Sequence, residues 1–189
     1  MADGAARMVA STSNRMAFVW EPGREDWSQP SRALDGHVFE DVGGVAISAD
    51  GSLCVTATRE QLRVWDLERG VIRASHVLGG EPLGRVALSP EGRSVAVLQG
   101  GRLTLFSSEV DSAHVLRAED KYVYFLDVSA DGRTLLSQGH RGHSTAWDLP
   151  GGLPFARWGP EVSRLETPFH LEHYHVALLL GPWSYTTYR

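Results

Sequence analysis

The sharpest cluster of residues that could bind a metal ion is the run HLEHYH, in which His170, Glu172, His173 and His175 fall within six positions. On a β-strand, alternate side chains share a face, so His173 and His175 would point towards a common ion. No cysteine or further matched pair accompanies them. We therefore interpret the run as a solvated, irregular tail and expect neither a metal site nor a cofactor.

Other catalytic signatures are weaker. The sequence has no Gly-x-Ser-x-Gly motif for a hydrolase nucleophile, and its one lysine, Lys121, follows Asp120 rather than a glycine-rich phosphate loop. His140 and His143 flank a turn, and we interpret them, like the histidines of the C-terminal run, as solvated residues rather than metal ligands. These observations predict that the protein is not an enzyme.

Composition narrows the class of protein further. The 189 residues are 42% hydrophobic, which is enough to bury a core, and the net charge of -5 gives no bulk attraction to nucleic acid or to a membrane surface. The single cysteine, Cys54, excludes an internal disulfide and is expected to be buried. The apolar run Val176 to Leu180 is too short to span a bilayer, so the expected location is cytoplasmic.

A repeat of about forty residues organises the chain. The tetrapeptides SADG, SPEG and SADG begin at Ser48, Ser89 and Ser129, which are 41 and then 40 residues apart. An aromatic residue keeps the same step, because Trp65, Phe106 and Trp147 lie 17, 17 and 18 residues after those serines. Such a period indicates repeated supersecondary units, which must be recognised before any other feature is interpreted.

Each unit reads as four short antiparallel strands. Runs such as GGVAIS, CVTAT and QLRVWD are β-branched or apolar and are separated by Asp-Gly, Glu-Gly, Pro and Ser. Asp-Gly pairs tolerate the positive φ of hairpin turns. A fourth, more variable run follows the aromatic residue, and no segment has the helical spacing of a crossover. The pattern predicts an all-β fold built of propeller blades.

At this point a family resemblance becomes specific. The sequences LDGH at 34 to 37, VAISADG, and LRVWD ending at Asp66 resemble the Gly-His and Trp-Asp landmarks of the WD-repeat β-propeller family, with 28 residues from His37 to Trp65. The resemblance covers roughly residues 2 to 158. It implies a buried hydrogen-bonded chain of His37, Thr56 or Thr58, and Trp65, which would be structural rather than catalytic. The turn aspartate that usually completes this chain has no clean counterpart in TREQ.

The N-terminus starts inside a unit. If Ala2-Asp3-Gly4 matches Ala49-Asp50-Gly51, then ARMVAST, RMAFVWE and SRALDGH are the second, third and fourth strands of a first blade. We therefore divide the chain into WD-repeat-like blades at 1–160 and degenerate C-terminal strands or a tail at 161–189. A strand at 162–169 would close a small four-bladed ring, whereas an open run of about four and a half blades is the favoured counting.

The arginines of four equivalent turns are the candidate binding residues: Arg15, Arg59, Arg102 and Arg141. On one rim they would form a basic arc suited to an acidic peptide or another carboxylate-rich partner. The predicted function is a non-catalytic protein-interaction scaffold. Two alternatives remain, namely a fragment of a longer propeller with little function alone and a propeller with a metal or small-ligand site. The unpaired edge of the first blade predicts pairing in trans, either in a homo-oligomer or with a strand from a partner.

Overall fold

The structure, a computed structural model, describes residues 7–12, 15–21, 23, 26–37, 40–109, 113–117, 122–149 and 151–159. Within these ranges the chain forms strands and contains no helix. The strands are β1 Met8–Ser11, β2 Met16–Trp20, β3 Arg32–Asp35, β4 Gly44–Ile47, β5 Leu53–Ala57, β6 Gln61–Asp66, β7 Val71–Val77, β8 Leu83–Leu88, β9 Ser94–Gln99, β10 Arg102–Ser107, β11 Ala113–Leu116, β12 Val123–Val128, β13 Thr134–Gly139, β14 Ser144–Asp148 and β15 Leu153–Trp158.

The strands form four antiparallel sheets, each continuous in sequence. Blade 1 contains β1 to β3, blade 2 contains β4 to β7, blade 3 contains β8 to β11 and blade 4 contains β12 to β15. Neighbouring strands pair in simple hairpin order in every sheet, so no crossover occurs. The prediction of an all-β array of about four propeller blades is confirmed, and the described blades do not close into a ring.

Blade 1 has the strand order expected from its offset start. Its three strands pair as β1, β2 and β3, which correspond to the second, third and fourth strands of the other blades. Among the described residues no strand pairs with the inner edge of β1. The proposed closing strand at 162–169 lies outside the described residues.

The repeated serine explains why each blade turns at the same place. Ser48 Oγ accepts the backbone N–H of Leu53 at 2.9 Å and donates to Asp50 Oδ1 at 2.6 Å. Ser129 does the same for Thr134 N and Asp131, at 2.9 and 2.6 Å. Gly51 and Gly132 have φ values of 71° and 70°, a conformation that side chains rarely adopt. The SADG sequence is therefore a self-contained hairpin turn between first and second strands.

Three apolar clusters fill the spaces between successive blades. Cys54, Trp65 and Leu67 pack against Ala17, Val19 and Leu34 of blade 1. The other two clusters join blade 2 to blade 3 and blade 3 to blade 4. Because each sheet is buried on both faces when it lies between two others, its strands are nearly continuous apolar runs. The core thus lies between blades.

Strand direction divides the turns into two rims. The upper rim carries the turns from second to third strands together with the connections between blades, and the lower rim carries the remaining turns. Hydrogen bonds join neighbouring blades on both rims. On the lower rim Ala49 N donates to Pro90 O at 2.8 Å, and on the upper rim Gln99 Nε2 donates to Arg59 O at 2.5 Å. No helix of the described chain has the length and apolar character needed to cross a membrane.

Candidate functional site

The polar chain implied by the sequence occurs in blade 2. His37 Nε2 lies 2.7 Å from Thr56 Oγ1, and Trp65 Nε1 donates to the same oxygen at 2.7 Å. All three residues are buried. The structure also distinguishes the two threonines, since Thr58 Oγ1 instead accepts the N–H of Gln61 in the adjacent turn at 3.0 Å.

Gly36 lets the Trp65 ring reach this position. A Cβ at Gly36 would lie 2.8 Å from Cη2 of Trp65 and would also collide with the Arg63 guanidinium. Real side chains do not tolerate such distances, so the glycine of the Gly-His pair is required by close packing rather than by a special φ. Gly36 of the Gly-His landmark and Trp65 of the Trp-Asp landmark are therefore in direct contact, although 28 residues separate His37 from Trp65.

The TREQ turn supplies no aspartate to this hydrogen-bonded chain. His37 Nδ1 and Arg63 Nε are buried with no hydrogen-bond partner among the described residues. Burial, with a smaller contribution from the Arg63 charge, lowers the pKa of His37 to about 4. The histidine is therefore neutral at physiological pH and has a structural role.

A carboxylate from the preceding blade connection occupies the turn instead. Glu40 accepts Arg59 Nε at 3.2 Å and the backbone N–H of Glu60 at 3.1 Å. Hydrogen bonds from Thr58, Glu60 and Arg59 outweigh the effect of desolvation and hold the pKa of Glu40 below its usual value. Arg59, which stands in the TREQ turn, is thus tied to its own blade.

The sequence places Phe106 and Trp147 at the position of Trp65, but the residues that pack against these two side chains were not predicted. We call His37, Thr56 and Trp65 the polar triad of blade 2. The residues 41 positions later, in blade 3, are Leu78, Val97 and Phe106, and they form an apolar triad within one buried cluster. In blade 4, Trp147 Nε1 donates to Ser137 Oγ at 2.8 Å. A shift of 41 residues from each member of the blade 2 triad would have predicted the apolar triad of blade 3.

All four arginines of the predicted arc are exposed and lie in, or at the edge of, the turns between second and third strands. Arg15 has a φ of 69°, in the left-handed region, and Arg59 remains 61% exposed although it pairs with Glu40 at 3.1 Å. Arg102 begins β10, and Arg141 lies between β13 and β14. The structure therefore places each arginine on the upper rim of its own blade.

The two ends of the upper rim carry different kinds of side chain. Exposed Glu60 and Glu81 lie near the turns of blades 2 and 3. At blade 4, the ring of exposed Tyr122 contacts that of His140 at 5.7 Å, edge to face, and His140 N donates to Tyr122 O at 3.0 Å. The blade 4 end thus combines Arg141 with exposed aromatic surface.

The histidine cluster at 170–175 lies outside the described residues. Within the described part of the chain, no group of three or more histidine, cysteine or acidic side chains could hold a metal ion. Cys54 is fully buried, as expected, and burial raises the pKa of its thiol to about 12.

Comparison with known proteins agrees with the fold. Residues 28–66 match the WD40 family model, described as WD domain, G-beta repeat. The structure resembles the β-propeller domain of Cps50 (Swd1) from Myceliophteria thermophila with a TM-score of 0.66 and 16% identity, covering 80% of this chain and 51% of that one. The chain thus spans about half the length of this propeller. These matches show a β-propeller fold with a WD repeat at residues 28–66, and they confirm the resemblance seen in the sequence.

A second family matches the C-terminal segment. Residues 161–189 match the HIUase/Transthyretin family model. This range is the segment interpreted from the sequence as degenerate strands or a tail, and it lies outside the described residues. No curated protein matches the chain in sequence.

Proposed function

We propose that this chain is a non-catalytic interaction module that binds an acidic segment of a partner protein on its upper rim. One observation carries the proposal: the equivalent turn of all four blades presents an exposed arginine. The WD-repeat match and the propeller fold support a protein-interaction role in general. Turns held by a rigid sheet scaffold are where binding residues concentrate.

The blade 4 end of the rim is the strongest part of this surface. Arg59 is partly neutralised by Glu40 and is followed directly by the exposed carboxylate of Glu60. Arg102 and Arg141 lie towards blade 4, where Tyr122 adds exposed aromatic area. Arginine forms bidentate, charge-assisted hydrogen bonds with carboxylates, and tyrosine contributes contact area at low entropic cost. We therefore expect the acidic segment to lie across blades 3 and 4.

A binding assay with a fluorescent, glutamate-rich peptide tests the proposal. We expect the double variant Arg102→Glu, Arg141→Glu to weaken binding at least about tenfold, which corresponds to roughly 1.4 kcal/mol. The matched control is Arg93→Glu, Arg133→Glu, which makes the same charge change on the lower rim of the same two blades. Equal losses in both variants would show non-specific attraction to the overall charge and would contradict the proposed site.

A further inference from the structure

Arg85 and Phe125 occupy equivalent positions in neighbouring blades. Each is the third residue of the first strand of its blade, in β8 and β12. Arg85 pairs with Leu98 of β9, directly after a shift in register. Phe125 pairs with the equivalent residue of blade 4, Gln138, after the same shift. Because β8 and β12 begin at connections between blades, both residues lie close to the upper rim.

The two side chains meet across the boundary between blades 3 and 4. The Arg85 guanidinium lies over the Phe125 ring, with its central carbon 5.5 Å from the centre of the ring. The face of an aromatic ring attracts a cation electrostatically. A guanidinium stacks through its flat face, so the N–H groups at its edge stay available to other partners. The half-buried ring of Phe125 therefore supports an exposed positive charge.

No carboxylate of the described ranges neutralises this charge. The Arg85 side chain makes no hydrogen bond or ion pair with another described residue. Asp127, two residues beyond Phe125 in β12, instead accepts the backbone N–H of Val128 at 2.9 Å. Arg59 differs, because it pairs with Glu40 at 3.1 Å. Arg85 therefore offers its donors to a group from outside the described chain.

The strand register gives the spacing between Arg85 and the nearest arginine of the rim, Arg102. Strand β9 lies between them, and their positions differ by one residue along the strands. Strands lie about 4.8 Å apart and rise about 3.3 Å per residue, so the two Cα atoms are about 10 Å apart. An extended segment covers this distance in about three residues. Two carboxylates at that separation match the two arginines.

We propose that Arg85 is a second carboxylate-binding residue for the acidic segment and that Phe125 orients it. The inference rests on the proposed function and adds to it a residue outside the four turns. Arg102 binds one carboxylate of the segment and Arg85 binds another, about three residues away. A side chain that is already oriented loses less freedom on binding. Phe125 is therefore a positioning residue, which acts on the partner through Arg85.

Binding of the fluorescent, glutamate-rich peptide to the full-length chain tests the role of Arg85. Arg85→Gln should weaken binding about fivefold, because one charge-assisted contact is lost. The control Arg93→Gln removes an exposed arginine from the lower rim of the same blade and should leave the affinity unchanged. A peptide with two glutamates three positions apart should bind more tightly than one of the same composition with adjacent glutamates. Arg85→Gln should abolish that difference.

Phe125→Leu tests the positioning role, because it keeps every charge. It should weaken binding about threefold in the parent chain. In the Arg85→Gln chain it should have no effect, since no guanidinium is left to orient. The control Phe155→Leu makes the same change at a half-buried ring in β15 of the same blade and should leave the affinity unchanged in both chains. Circular dichroism confirms that all variants are folded.

The outcomes separate this inference from the proposed function. If the double variant Arg102→Glu, Arg141→Glu weakens binding and Arg85→Gln does not, the inference is overturned and the proposed function stands. Equal effects of Phe125→Leu with and without Arg85 would overturn the positioning role. A parent chain that does not bind the peptide would contradict the proposed function, and this inference with it.

Discussion

The indole Nε1 of Trp65 donates to Thr56 Oγ1 at 2.7 Å, across two neighbouring strands of blade 2. The same indole ring packs over Gly36 and against the blade 1 cluster. One side chain therefore joins strand pairing, blade packing and the connection between blades 1 and 2. Its removal should have consequences well beyond one hydrogen bond.

We expect Trp65→Ala to lower the free energy of unfolding by about 3 to 5 kcal/mol, the range for large buried aromatics. Urea denaturation followed by circular dichroism measures this change. The control Trp27→Ala removes an indole that is 46% exposed and should cost much less. Equal unfolding free energies for Trp65→Ala and the parent chain would contradict the assigned core role.

The apolar triad of blade 3 predicts how the polar triad of blade 2 responds to substitution. Thr56→Val leaves the Trp65 N–H and the His37 ring without a partner, which should cost about 1 to 3 kcal/mol. The triple variant His37→Leu, Thr56→Val, Trp65→Phe copies Leu78, Val97 and Phe106. Because no polar group is then left unpaired, its cost should be clearly less than the sum of the three single changes.

A complete set of single and combined variants measures that difference by chemical denaturation. Additive costs across the set would show that the three residues of blade 2 do not act as a unit. Simultaneous replacement is the informative experiment because neighbouring groups in one hydrogen-bonded chain are expected to couple.

His37 should make stability depend on pH in a defined window. Its pKa is about 4 in the folded protein and 6.5 for the unperturbed side chain. Between these values the unfolded chain binds more protons than the folded chain, so stability falls as pH falls from 6.5 to 4 and levels off below. His37→Gln should flatten this slope while the parent chain retains it. An imidazole that titrates near 6.5 in the folded protein would contradict the assignment.

The serine turns offer a test of local structure. Ser48→Ala removes the hydroxyl that accepts the N–H of Leu53 and donates to Asp50, and should cost about 1 to 2 kcal/mol. Ser52→Ala is a matched control, because Ser52 also binds Asp50 but is more exposed. Thermal melts of the two variants should therefore differ. Similar melting temperatures would mean that the buried serine adds nothing to the turn.

Much of this architecture could be predicted from the sequence because its signals are local. Three signals each depend on a few adjacent residues: the SADG turns, the alternating strands and the aromatic residue every forty positions. Together they predicted the strands of blades 2 to 4 and the offset start of blade 1. The buried position of Cys54 was also predictable from its apolar run.

The remaining features depend on contacts between distant residues. The role of Glu40 could not be predicted, because it lies 19 residues from the arginine that it binds and belongs to the connection between blades rather than to the turn. The Ser137 partner of Trp147 lies one residue further away in sequence than Thr56 lies from Trp65.

Thiol labelling at Cys54 should report the opening of blade 1. Cys54 lies fully buried in the cluster between blades 1 and 2, and its raised pKa makes it unreactive until that contact opens. Val95 is the equivalent residue, 41 positions later, between blades 2 and 3, and it is also fully buried. Blade 1 has three described strands and packs against one described blade, so it should open at lower free energy than the contact between blades 2 and 3.

We therefore expect the parent chain to react with a disulfide reagent faster than the variant Cys54→Val, Val95→Cys under native conditions. Each 1.4 kcal/mol of difference in opening free energy corresponds to about a tenfold difference in rate when closing is fast. Labelling in urea, where both thiols are exposed, supplies the intrinsic rate for each chain. Equal protection of the two thiols would mean that blade 1 opens only when the whole array unfolds, and that its three described strands are as firmly held as the four strands of blades 2 and 3.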